Sequence, residues 1–376
     1  MKFLDEFRDF DLARKLVDRI KRLASQPWVI MEVCGGQTHG LLRHGIDEAL
    51  AGSVELIHGP GCPVCVTPVE SIDLACSLSR QPGTLVASFG DMLRVPGSAG
   101  SLGQARADGG DVRVVYSPLD AVELARRNPE FQIVFFAVGF ETTMPATALA
   151  VLQASEWGLQ NFSILTAHVR VLPAMQGILN APDNRVQAFL AAGHVCTITG
   201  YRDYEQVANC FKVPIVVTGF EPLDLLEGIC DCVTQLEAGG HTVSNRYERS
   251  VRPNGNQDAQ RFVDQVYEIA DRPWRGLGVI RGGGFSLRDT FRRFDAQRRF
   301  PFAATALPIL NDVRCRSGEV LTGRIKPRDC PEFGLGCTPA SPLGAPMVSS
   351  EGACAAYYRY ASHPGAVACP VLSVSE

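Results

Sequence analysis

Three groups of cysteines carry the residue types and spacings from which chemistry can be read. In MEVCGGQTHG (31–40), Cys34 follows an apolar run and precedes two glycines. That is the position of an exposed, functional thiol at the mouth of a parallel sheet, where glycines permit tight turning and close approach of a ligand. A helix starting near Thr38 lowers the thiol pKa and favours thiolate, the form that binds metal or attacks an electrophile. His39 is near enough in sequence to serve as base or hydrogen-bond donor. In HGPGCPVCVTP (58–68), Cys62 and Cys65 flank Pro63 in a C-x-x-C pair, after a Gly-Pro-Gly turn and ahead of a helix. Thiols at this spacing close a reversible disulfide or share a metal ion. No second knuckle or H-x(3–5)-H pair completes a closed zinc site, so redox work or transient iron binding is expected.

The third group is Cys315, Cys330, Cys337 and Cys354, with 14, 6 and 16 residues between them. Four thiolates hold a 4Fe-4S cube. The intervals differ from ferredoxin runs, and a four-cysteine zinc site competes, with Cys369 or His363 as substitutes for one ligand. Two further candidates are carboxylates. Glu141 and Glu221 each follow Gly-Phe at the end of an apolar strand, where a helix N-terminus favours negative charge. Capping alone explains either one; a catalytic or partner-contact role brings in Thr142, Thr143 and Asp224, with His168 as a lesser candidate. GLGVIRGGGFSLRD (276–289) has neither a G-x-G-x-x-G nor a Walker lysine and reads as a hinge or turn.

Composition narrows the setting. The chain has 376 residues, 46% hydrophobic and 20% charged, with a net charge of −4. Nucleic-acid binders carry a basic face, which this balance does not suggest. No continuous apolar stretch reaches the ~20 residues that span a bilayer, and the N-terminus lacks a signal-peptide pattern. A cytoplasmic protein is expected. There thiols stay reduced, so 13 cysteines point to metal binding or thiol redox chemistry more than to structural disulfides. Cys76, Cys196 and Cys210 lie in apolar surroundings and are expected in the core.

The elements that position these residues are α/β. Residues 1–30 read as a helical segment with Asp11 as N-cap and Leu12, Leu16, Ile20 and Leu23 on one face. Apolar strands are expected at 29–33, 54–57, 84–87, 112–116, 133–138, 163–167, 195–198 and 215–217. Helices are expected at 68–79, 119–127, 146–156, 175–180, 204–211 and 223–236. Such alternation predicts parallel sheets buried on both faces, with ligands beyond the carboxyl ends of strands. IVFFAVGFETT (133–143) echoes PIVVTGFEPLD (214–224), which suggests two related lobes. Expected boundaries are 31–120 and 121–305 for two α/β domains and 306–376 for a Cys-, Pro- and Gly-dense region stapled by a metal centre.

Together CGGQTH (34–39), GPGCPVC (59–65), GFETT (139–143), GFEPLD (219–224) and SSEGACAAYY (349–358) resemble the HypD family of nickel-iron hydrogenase maturation proteins, from about residue 30 to residue 360. The resemblance implies two similar α/β domains facing a cleft and a C-terminal domain whose 4Fe-4S cluster is held by Cys315, Cys330, Cys337 and Cys354. It implies that Cys34, with a cysteine of the small chaperone HypC, holds the iron that becomes the Fe(CN)2CO unit. Cys62 and Cys65 match the family's redox-active or iron-associated pair, and HypE is the expected cyanide donor. Soft thiolates suit low-valent iron, and a cluster beside a dithiol supplies the electrons that detach cyanide from a carrier sulfur. The rival reading is a thiol-disulfide oxidoreductase with a structural zinc site; a third is a docking scaffold without chemistry of its own.

Overall fold

The computed structural model describes residues 5–301 and 314–361; Cys369 and His363 lie outside the described residues. Strands β1 (Trp28–Glu32) and β2 (Val54–His58) begin one sheet. The chain then builds a second sheet from β3 (Thr84–Ser88), β4 (Val112–Val114), β5 (Gln132–Gly139) and β6 (Phe162–His168). It returns to the first with β7 (Ala188–Ala192), β8 (Ile215–Thr218) and β9 (Val243–Asn245). The sheets run β2-β1-β7-β8-β9 and β4-β3-β5-β6, and every pairing in them is parallel. The α/β class with parallel sheets is therefore as expected. Division at residue 120 is not: the first sheet takes strands from both sides of it, because β7 inserts beside β1 rather than beside β6.

Strands β3, β6, β7 and β8 are apolar and wholly buried, as sheets covered by helices on both faces require. Six of the expected strands and all six expected helices agree with the structure to within a few residues, and the 112–116 run forms a shorter strand, β4. The expected strand at 195–198 is instead part of the helix Gly193–Thr199, and the strand lies just before it, at β7. The stretch from 186 to 198 is nearly all apolar, so its pattern does not separate a buried strand from a buried helix. The glycine-rich 276–289 segment is no hinge. It supplies β11 (Gly278–Leu287), which pairs antiparallel with β10 (Tyr267–Trp274). Cys76 and Cys196 are buried as expected, whereas Cys210 is exposed. Among the described residues no helix is long and apolar enough to cross a membrane.

The first helix spans Phe10–Leu23, and its N-cap is Asp9, not Asp11: the Asp9 carboxylate accepts the Leu12 N–H at 2.9 Å. Its buried face is Ala13, Val17 and Ile20, packed with Leu225, Ile229 and Val233 of the helix Pro222–Glu237. Leu12 stays 47% exposed. The expected stripe was thus rotated, since Ala13 is small enough to let the two helices approach. Ile20→Ala should lower the unfolding free energy by about 2–5 kcal/mol, and Leu12→Ala should change it by no more than about 0.5 kcal/mol, both by urea denaturation.

Candidate functional site

Cys34 lies just past the end of β1 and caps the helix Gly35–Arg43. Three separate segments press against it. A methyl group on Gly61 would overlap the Cys34 backbone nitrogen, and one on Gly35 would overlap the carbonyl of Glu351. The Gly35 N–H donates to the Gly61 carbonyl at 3.0 Å. Backbone can approach backbone this closely only where Cβ is missing. So CGGQTH, GPGCPVC and SSEGAC, scattered over more than 300 residues of chain, meet at one thiol. Phe220 of GFEPLD joins from the side, its ring centroid 5.5 Å from that of His194.

The thiol is not exposed; it is 2% accessible. His194 Nδ1 lies 3.4 Å from Sγ. Burial pushes the thiol pKa up, and the carboxylates of Glu32 and Glu351 push in the same direction, against the helix N–H groups of Gln37 and Gly36 that lower it. The expected drop toward thiolate is therefore reversed in this state, because desolvation outweighs the helix start. Burial also lowers His194 to about 4, so a neutral imidazole rests beside a neutral thiol. His39 Nε2 lies 2.9 Å from the Tyr360 hydroxyl.

Beneath the thiol is a buried carboxylate. Glu32 is inaccessible, and its Oε2 accepts the Cys34 N–H at 2.8 Å. Its Oε1 accepts the Thr38 hydroxyl and lies 2.7 Å from His58 Nδ1. Glu32 and His58 are register partners across the β1–β2 pair, which is why their side chains meet. His58 Nε2 is 3.0 Å from the Tyr357 hydroxyl, on the helix Ala353–Tyr360.

Cys62 and Cys65 form a disulfide, with Cα atoms 5.2 Å apart, and both are buried. Pro63 opens the short helix Pro63–Val66 between them. That helix packs against the turn Ala345–Met347. Pro346 and Met347 in turn line a pocket with Cys315, Cys330, Cys337 and Cys354, closed by Val320, Phe333 and Leu343. The four-cysteine group is thus gathered in one apolar pocket, one layer from the disulfide. The Leu343 N–H donates to Cys337 Sγ at 3.4 Å. Burial raises the Cys354 pKa, and the other three thiols of the group add to that rise.

The two Gly-Phe-Glu carboxylates have different settings. Glu221 is the N-cap of Pro222–Glu237 and shares a capping box with Asp224. It is ion-paired through two bonds to Arg8, and Asp224 is held by both Arg249 amino groups at 2.7 and 2.5 Å. These contacts tie down the N-terminal segment. Glu141 is buried, and its Oε1 accepts the Val171 N–H at 3.1 Å, capping the helix Val171–Leu179. Its Oε2 has no hydrogen-bond partner among the described residues, and burial raises its pKa to about 7. Thr143 Oγ1 is 3.0 Å from His168 Nε2, so the GFETT turn is joined to the end of β6.

Glu32, His58, His194 and Tyr357 were not singled out from sequence. Glu32 left a signal, as the one charge within WVIMEV, and buried charges are rarely idle. His58 precedes Gly-Pro-Gly directly. His194 was hidden by the misplaced strand, since a histidine before an expected strand does not face a thiol 160 residues away.

The chain matches the model of the family described as HypD, hydrogenase formation hypA family, over residues 11–361. It is 46% identical to the hydrogenase maturation factor HypD of Escherichia coli (strain K12) over 368 residues, covering 96% of this chain and 98% of that protein. The HypD of Rhodobacter capsulatus is 46% identical, with 96% and 98% covered, and that of Cupriavidus necator 42% identical, with 96% and 97% covered. A match of this identity across nearly the full length, joining the motifs that meet at Cys34, means that the chain belongs to the HypD family of hydrogenase maturation factors.

Proposed function

We propose that this chain, paired with a HypC-like small chaperone in the cytoplasm, holds the iron on which the Fe(CN)2CO unit of nickel-iron hydrogenases is assembled, with a HypE-like protein delivering cyanide. The observation that carries this reading is the meeting of CGGQTH, GPGCPVC and SSEGAC at Cys34. A soft thiolate suits low-valent iron. Metal binding releases the thiol proton, and the sulfur lies 3.4 Å from His194 Nδ1. Glu32 fixes the Cys34 turn through its N–H, so the sulfur is presented in one orientation.

Cys315, Cys330, Cys337 and Cys354 would hold a 4Fe-4S cluster. Their fit is the shared apolar pocket and the N–H donated to Cys337, a contact of the kind that tunes cluster potentials. When bound, such a cluster supplies single electrons. The Cys62–Cys65 disulfide accepts two electrons and two protons to become a dithiol, and its helix lies against the turn that lines the cysteine pocket. In this reading it serves as the redox partner of chemistry at Cys34.

Anaerobic infrared spectroscopy of the chain co-purified with its HypC-like partner should show stretching bands of iron-bound cyanide and carbonyl. Cys34→Ala should abolish them, and their absence from an iron-loaded wild-type complex would refute the scaffold role. Cys62→Ala should keep its iron but accumulate the cyanide bands severalfold more slowly. Cys354→Ser should lose the brown colour and the acid-labile sulfide; zinc without sulfide in the wild-type chain would instead favour the thiol-disulfide oxidoreductase.

A further inference from the structure

A cleft of about 810 Å³ opens between the helix Val171–Leu179, the β10–β11 hairpin and the helix Ser317–Leu321. Arg275, Arg281, Arg316 and Arg324 line it, against two acids, Asp183 and Glu319. Both acids are already paired, Asp183 with Arg324 at 2.7 Å and Glu319 with Arg316 at 2.5 Å. The surplus positive charge is therefore that of Arg275 and Arg281. Arg281 is exposed and makes no ion pair among the described residues. Arg275 donates from Nη1 to the Pro96 carbonyl at 2.9 Å, which uses one of the five donors a guanidinium carries. Beside these charges Val279 is 73% exposed. Arginines around an exposed apolar side chain are the composition of a protein interface more than of a small-anion site.

The cleft also has a particular neighbour. Cys315, Arg316 and Ser317 line both the cleft and the four-cysteine pocket, so a single stretch of chain separates the two. From the floor, the Arg275 N–H donates at 2.8 Å to the carbonyl of Val66, the residue after Cys65. An electron carrier seated in the cleft is separated from the metal centre by the Cys315–Ser317 strand of chain alone.

We propose that this cleft is the docking site of an acidic one-electron donor protein that reduces the metal centre held by Cys315, Cys330, Cys337 and Cys354. The proposal rests on the reading that these four hold an iron-sulfur cluster. In each encounter one electron passes, the donor is oxidised by one, the cluster is reduced by one, and no bond forms or breaks; converting Cys62–Cys65 to a dithiol takes two encounters. Electron-transfer interfaces are small, and opposite charge steers their encounter.

Reduced flavodoxin is a suitable acidic probe, mixed anaerobically with the cluster-bearing chain in a stopped-flow spectrometer that follows bleaching of the visible absorbance. Dithionite, which needs no docking surface, is the control. Arg281→Glu should slow reduction by flavodoxin about tenfold, with raised salt slowing the wild type in the same way, while the dithionite rate and iron content stay unchanged. Calorimetric titration with oxidised flavodoxin should show binding weakened by the same substitution. Equal rates and equal affinities in variant and wild type would overturn the proposal. A wild-type chain with no cluster absorbance would overturn the reading beneath it, and the titration, which needs no cluster, would still decide whether the cleft binds an acidic protein.

Discussion

A carboxylate with no access to water must have its oxygens satisfied by the protein, and Glu32 is such a group. Its partners are the backbone of Cys34, the hydroxyl of Thr38 and the ring of His58. Each comes from a different feature: the turn after β1, the first helical turn beyond it and the end of β2. A one-residue slip between β1 and β2 would carry His58 to the opposite face of the sheet and strand the charge. The buried pair therefore sets the register of the two strands whose ends carry Cys34 and the loop to Cys62. Leaving a buried hydrogen-bonding group without its partner costs about 1–3 kcal/mol, a large fraction of what holds a domain folded.

The same group ties the cysteine pocket to the thiol. His58 reaches Tyr357, Asp47 lies beside Tyr357, and Asp47 is paired with Lys326 at 3.3 Å. Tyr357 stands one helical turn beyond Cys354, and Lys326 stands four residues before Cys330. Two of the four cysteines are thereby seated against the Cys34 turn through side chains on rigid elements, more firmly than loops alone would allow. Residues 314–361 have little regular structure of their own, so this seating and the contact at Gly35 place their cysteines.

Much of the site was legible because it is made of residues with few ordinary uses. Cysteines next to glycines, and two Gly-Phe-Glu turns after apolar strands, stand out without any structure. The strands were legible where apolar runs were bounded by Gly, Pro or charge, as at 132–139, and illegible at 186–198, where they were not. The pKa of Cys34 was misjudged because a helix N-terminus is visible in sequence and burial is not. His194 and Tyr357 were out of reach for a related reason: their importance comes from which strand lies beside which, and a sheet ordered β2-β1-β7-β8-β9 is not written in any local pattern.

That strand order has a consequence for how the chain is made. A ribosome releases residues in sequence, and domains tend to fold as units when their last element emerges. β1 and β2 leave first, but their neighbour β7 follows only after the whole of the second sheet. Until then the thiols of Cys34, Cys62 and Cys65 are without the packing that encloses them, open to oxidation and to stray metal. The nascent protein thus passes through an interval in which these three thiols are at their least protected.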